Sequence, residues 1–140
     1  MMKGIFITFE GIDGCGKSTQ CELLKNYLEG IGKEFIFVRE PGGTVIGERI
    51  REILLDKKNT QMTARTGLLL FEAARAQITD EVIKPALDEG KIVLCDRFFD
   101  SSSAYQGMAR GMGMDFVAGL NMAATGGLQP DITFFFDISA

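Results

Sequence analysis

Eight consecutive residues constrain this chain more than any other feature: Gly11-Ile12-Asp13-Gly14-Cys15-Gly16-Lys17-Ser18. They match G-x-x-x-x-G-K-[ST] without a mismatch. The apolar run before them, residues 4–9, reads as a short buried strand, and Lys17 to Glu29 reads as a helix with Cys21, Leu24 and Leu28 on one face. A strand, a glycine loop and a helix in that order build a cradle for phosphate. The glycines let successive backbone N–H groups turn inward, and the positive end of the helix adds its field. Residues 11–19 are therefore candidate nucleotide-binding positions, Thr19 included. Lys17 is the candidate cation for the β- and γ-phosphates, and Ser18 the candidate hydroxyl ligand for Mg²⁺.

The pattern continues. Residues 34–38 and 91–95 read as apolar strands, and Ile132 to Phe136 as a fourth. Helical spacing runs from Gly47 to Asp56 and from Ala64 to Glu89, where Pro85 should kink or divide the segment. Asp115 is expected to cap a helix reaching about Ala124. Leu68-Leu69-Leu70 and Phe134-Phe135-Phe136 are expected in the core. Strands alternating with helices predict an α/β fold, a doubly wound parallel sheet with helices on both faces.

Composition narrows the function. Net charge is −4, which argues against a broad nucleic-acid surface. No histidine occurs, and the three cysteines show no Cys-x-x-Cys spacing, which disfavours a zinc site and His-assisted nucleophilic catalysis. Scattered thiols and an N-terminal apolar run too short for a signal or a membrane span fit a cytoplasmic protein with no membrane partner. Cys15, at a helix N-terminus, is expected to be the reactive thiol, and Cys95 an inert one. The guanine-reading Asn-Lys-x-Asp segment of GTPases is not found. The Asp of Cys95-Asp96-Arg97, at a strand end, is a candidate support for the metal, and an Arg follows it at once.

Four motifs in order then carry a resemblance: Phe9-Glu10-Gly11-Ile12-Asp13-Gly14; Arg39-Glu40-Pro41-Gly42-Gly43-Thr44; Phe71-Glu72-Ala73-Ala74-Arg75; and residues 96–107, Asp96-Arg97-Phe98-Phe99-Asp100-Ser101-Ser102-Ser103-Ala104-Tyr105-Gln106-Gly107. Together they resemble bacterial thymidylate kinases over the whole chain. The resemblance implies a P-loop nucleoside monophosphate kinase-like fold with strand order 2-3-1-4, transfer of the γ-phosphoryl group of ATP to dTMP, Mg²⁺ as cofactor, and a homodimer.

It also implies residue roles. Lys17, Arg97 and Asp13 would be catalytic, Asp13 accepting from the deoxyribose 3′-hydroxyl and Arg97 gripping the dTMP phosphate. Phe71 would stack on thymine and Arg75 donate to a thymine carbonyl. Ser102 and Gln106 would contact the base, and Tyr105 would crowd the sugar 2′ position. Arg39, Glu40 and Arg51 would line the phosphate end, and Glu40–Pro41 would be cis. Ser18 and Asp96 would serve the metal. Gly14 stands where some family members carry an arginine; those lacking it place catalytic arginines in a lid, expected after Ala140. Residues 1–140 thus read as one P-loop kinase domain, truncated at its C-terminus and inefficient by itself. Two other readings stay open: a kinase with another nucleoside or nucleotide acceptor, and a non-catalytic nucleotide-binding module.

Lys17→Ala is expected to cripple ATP use and spare dTMP binding. Loss of one preorganised charge-stabilising donor costs about 3–4 kcal/mol in the transition state. Steady-state kinetics beside dTMP calorimetry check this; wild-type turnover refutes it.

Overall fold

A computed structural model describes residues 3–12, 14–98 and 111–137. Its elements follow in the order β1 (Ile5–Gly11), α1 (Lys17–Gly30), β2 (Phe35–Arg39), α2 (Val45–Leu55), α3 (Ala64–Ile78), a π-helical turn (Thr79–Ile83), α4 (Lys84–Asp88), β3 (Ile92–Asp96), α5 (Met114–Thr125) and β4 (Ile132–Phe136). The four strands pair in parallel in the order β2-β3-β1-β4, as the sequence predicts.

Alternation along each strand decides which helix it meets. Phe6, Val93 and Cys95 point to one face and pack with Ile78, Ile83, Ala86 and Leu87 of the α3–α4 layer. Ile7, Phe9 and Leu94 point to the other and pack with Cys21 and Leu28 of α1. Consecutive residues of β1 and β3 thus belong to different cores, which is why both strands read as unbroken apolar runs. Helix α5 adds Val117, Asn121 and Thr125, four residues apart and all buried.

Three expectations need correcting. The long helix does divide, but ahead of Pro85. Pro85 has no N–H to give to a carbonyl four residues back, and it falls in the first turn of α4. The turn before it widens to a π-type ring, with the Lys84 N–H bonded to the Thr79 carbonyl. Asp115 lies inside the first turn of α5 and is not its cap; Gly113 holds that position at φ 87°. Leu69, Phe134 and Phe135 are exposed, the last at 69%. Leu69 falls on the outer side of α3, one position past the buried Leu68. Strand β4 is one edge of the sheet among the described residues, β2 being the other, and its contacts are mostly with β1. Phe134 stacks on Phe9 at 5.6 Å, and Phe136 packs edge-on at 6.4 Å. Beside them a cavity of about 570 Å³ runs between β4 and α1, lined by Leu23, Leu24 and Cys15 among others.

Among the described residues no helix is long and apolar enough to cross a membrane.

Leu94 is fully buried in the α1-side core. Leu94→Ala is expected to cost about 2–5 kcal/mol in urea unfolding. Leu69→Ala, at an exposed position, should cost under about 0.5 kcal/mol. Equal losses would contradict the packing described.

Candidate active site

The glycine loop joins β1 directly to α1, so Lys17 and Ser18 open the helix at its positive end. Gly14 and Gly16 adopt φ 78° and 86°, where a side chain would strain the backbone. Among the described residues no atom would crowd a Cβ at either. Within the loop, Cys15 is 4% exposed. That burial limits the access a reactive thiol needs, although Cys15 borders the cavity beside β4 and is the least buried of the three cysteines. Burial pushes the Cys21 thiol up to about 11 and the Cys95 thiol well above its usual value, which suits the inert role expected of Cys95.

Parallel pairing puts the end of β3 beside the loop. Phe9 is in register with Asp96, and Lys17 Nζ lies 3.0 Å from Asp96 Oδ1. That ammonium also approaches the Gly11 carbonyl at 3.5 Å. Among the described residues the buried Asp96 Oδ1 accepts no aligned hydrogen bond, even from Lys17, so the contact is ionic. Ser18, the next residue of α1, is exposed. Asp96 and the Ser18 hydroxyl offer oxygen donors only, the chemistry Mg²⁺ takes alongside phosphate oxygens.

Arg97 follows at φ 70°, in the left-handed region. For a residue with a Cβ this costs roughly 1–2 kcal/mol. Its N–H donates to the Phe9 carbonyl at 2.9 Å, and its carbonyl accepts from Cys95 Sγ at 3.2 Å.

Positive charge from the end of β2 and from α2 converges on the loop between them. Arg39 Nη1 and Arg51 Nη1 both donate to the Pro41 carbonyl, at 3.2 and 3.1 Å. Arg39 also meets Glu48, whose carboxylate accepts from the Gly43 N–H. Desolvation and the neighbouring Arg39 push the Arg51 guanidinium down, and Glu48 opposes them. Thr44 caps α2 by accepting from the Gly47 N–H at 2.8 Å. The Glu40–Pro41 peptide is cis, as expected.

Glu40 has different company from Arg39 and Arg51. It is 6% exposed, and its Oε2 accepts from Arg75 Nε at 2.7 Å and lies 2.7 Å from Nη2. Arg75 itself is only 2% exposed. Its Nη1 donates to Asn121 Oδ1 at 2.8 Å and to Glu72 Oε1 at 3.3 Å. The guanidinium also lies over the Phe98 ring, 5.4 Å from its centre. Burial pushes the Glu40 carboxyl up, with Arg75 pulling against it. Burial pushes Glu72 up to about 7, again against Arg75 and with the help of the Glu40 charge. Phe71 is half-buried one turn before Arg75 on α3.

The structure thus brings together Lys17 with Asp96, Arg39 with Arg51, and Glu40 with Arg75. Asp13, Ser102, Tyr105 and Gln106 lie outside the described residues. Sequence reasoning assigned no role to Glu10, Glu72 or Asn121. Asn121 had a signal in its four-residue spacing from Val117 and Thr125, and Glu10 had one as an acid ending an apolar strand.

The Glu72 carboxyl, ordinarily at 4.5, rises to about 7 on folding. Between those values the unfolded chain ionises first, so stability falls as pH rises, and the full penalty is present above about 7. Glu72→Gln is expected to flatten the decline of Tm between pH 5 and 7 and to gain most over wild type at pH 8. A difference independent of pH would contradict it.

Comparison with known proteins agrees with this geometry. Residues 9–140 match the family model described as thymidylate kinase. A thymidylate kinase of Thermosipho melanesiensis is 58% identical over 134 residues, covering 96% of this chain and 66% of its own length. One of Thermoanaerobacter sp. is 54% identical over 138 residues, covering 99% of this chain and 68% of its own length. The chain therefore spans about two-thirds of the length of these relatives. The crystal structure of thymidylate kinase from Ehrlichia chaffeensis superposes with a TM-score of 0.88 at 43% identity, covering 96% of this chain and 75% of that one. With the phosphate loop, the Lys17–Asp96 pair and the β2-β3-β1-β4 sheet in place, the chain belongs to the thymidylate kinase family.

Proposed function

We propose that this chain carries the phosphate-donor loop and the acceptor pocket of an ATP:dTMP phosphotransferase that makes dTDP. The observation that carries the reading is the convergence at the carboxyl ends of β1 and β3. There Lys17 meets Asp96 at 3.0 Å, and Arg97 follows directly. Ligands of open parallel sheets bind at such strand ends.

The attacking oxygen of dTMP is already anionic, so no strong base is required. The protein's work is alignment and charge neutralisation. Residues 11–19 hold the ATP phosphates, and Lys17 supplies a cation to the β- and γ-oxygens. Ser18 and Asp96 would hold Mg²⁺, which would supply neutralisation of phosphate charge. Arg97 grips the dTMP phosphate with the fork geometry of a guanidinium. Arg39 and Arg51, converging on one carbonyl, add positive charge at that end of the pocket.

On α3, Phe71 supplies the stacking ring and Arg75 a donor to the base. The cluster of Glu40, Glu72 and Asn121 explains how Arg75 keeps its orientation while buried. Asp13, Ser102, Tyr105 and Gln106 complete the reading at the sugar and base. A cytoplasmic homodimer is part of the same proposal, supported by the family resemblance.

Arg97→Ala tests the assignment. It should weaken dTMP far more than thymidine, because only the nucleotide carries the phosphate. A charge-assisted contact is worth roughly 1.5–3 kcal/mol. Equal losses for both ligands in calorimetry would place Arg97 elsewhere.

A further inference from the structure

Glu10 is the acid that apolar logic does not explain. It lies in β1, inside the sequence Ile-Phe-Ile-Thr-Phe-Glu-Gly, and is 2% exposed. Alternation puts it on the same face as Phe6 and Thr8, and Phe6 packs edge-on against Phe98 at 5.0 Å. A carboxylate buried there is unfavourable unless it accepts hydrogen bonds, and a valine would fill the space without that cost. Its Oε1 accepts from the backbone N–H of Phe98 at 2.6 Å.

The position of that bond matters. The β1–β3 register ends at Phe9 and Asp96, and the Arg97 N–H to the Phe9 carbonyl follows it. The chain then turns through Arg97 at φ 70°. The next donor, the Phe98 N–H, goes to a side chain rather than to a strand. The peptide groups on both sides of Arg97 are therefore tied: its N–H to Phe9, its carbonyl to Cys95 Sγ, and the following N–H to Glu10. A left-handed non-glycine residue persists only where its surroundings over-determine it, and such residues gather at functional sites.

We propose that Glu10 is a positioning residue for the acceptor phosphate: by holding the Phe98 N–H it locks Arg97 in the left-handed conformation and fixes the direction in which the guanidinium leaves the backbone. The proposal rests on the reading of Arg97 as the residue that grips the dTMP phosphate. It adds a specificity element in β1, acting through the turn that carries Arg97.

The test is calorimetry of dTMP and thymidine with wild type, E10A, E10Q, R97A and the E10A/R97A pair, with folding checked by circular dichroism. E10A should weaken dTMP about tenfold and leave thymidine unchanged, since the loss of one charge-assisted anchor acts only through the phosphate contact. E10Q keeps an acceptor oxygen but loses the charge, and should weaken dTMP by only about threefold. In the R97A background, E10A should add less than about twofold, because both changes remove the same interaction. A merely structural Glu10 would lower dTMP and thymidine affinity together and add its full effect to R97A, which overturns the proposal. If E10A does not fold, E10Q decides: a loss confined to dTMP supports the role, and an unchanged or phosphate-independent affinity overturns it. An R97A that costs dTMP affinity beside an E10A that does not sinks the positioning role alone. Wild-type protein binding dTMP no better than thymidine sinks the pocket assignment and this proposal with it.

Discussion

The parallel pairing of β1 with β3 is the contact on which the rest of the molecule depends. The two strands are distant in sequence, with α1, β2, α2, α3 and α4 between them. Their register sets Phe9 opposite Asp96, and so fixes the glycine loop beside the Asp96-Arg97 turn. Shifting β3 by one residue against β1 would exchange the faces of β3. Val93 and Cys95 would then meet α1, Leu94 would meet the α3–α4 layer, and Asp96 would move out of register with Phe9 beside the loop. The two cores on either side of the sheet specify the register, and the register specifies the site.

The charges around this contact fall into two kinds of environment. Arg39 and Glu48 are nearly half exposed, and a pair of that sort contributes little to stability. Arg75, Glu40 and Glu72 are buried, where breaking the Glu40–Arg75 pair leaves an uncompensated charge and is strongly destabilising. Such a cluster is an inefficient way to hold a fold together, since well-packed apolar residues do as well or better. Its presence next to the half-buried Phe71 is more readily understood as keeping one guanidinium in one orientation. Glu40 Oε1 and Glu72 Oε2 point the same way: neither has a hydrogen-bond partner among the described residues, and burial pushes both carboxyls up.

Much of the architecture was legible beforehand. β4 begins and ends where its apolar run does, and the other strands and helices fall within a residue or two of their expected bounds, apart from the division of the segment from Ala64 to Glu89. The phosphate loop was legible because its chemistry is local: glycine at fixed spacing, then Lys and Ser at a helix start. The misses have local causes too. Pro85 was read as the break, but its missing N–H is accommodated by the turn that precedes it. Phe134 and Phe135 looked like core because an apolar run does not say which strand will be the edge. Leu69 looked like core beside Leu68, although a helix turns neighbours about 100° apart.

By itself, the sequence determined what each segment can do over one or two turns of backbone. It set the cradle of residues 11–18, the alternating faces of β1 and β3, the Thr44 cap and the glycines that bend the chain. Tertiary structure alone decided the partners of the charges. Glu40 and Arg75 are 35 positions apart, Arg75 and Asn121 46, and Glu10 and Phe98 88. No periodicity links such positions. Whether a carboxylate ends as a solvated ion, an arginine's anchor or a strap on a backbone N–H depends on which strand ends the sheet brings together. It depends as well on how completely water is excluded there, because a charge out of water must find its partner within hydrogen-bonding reach.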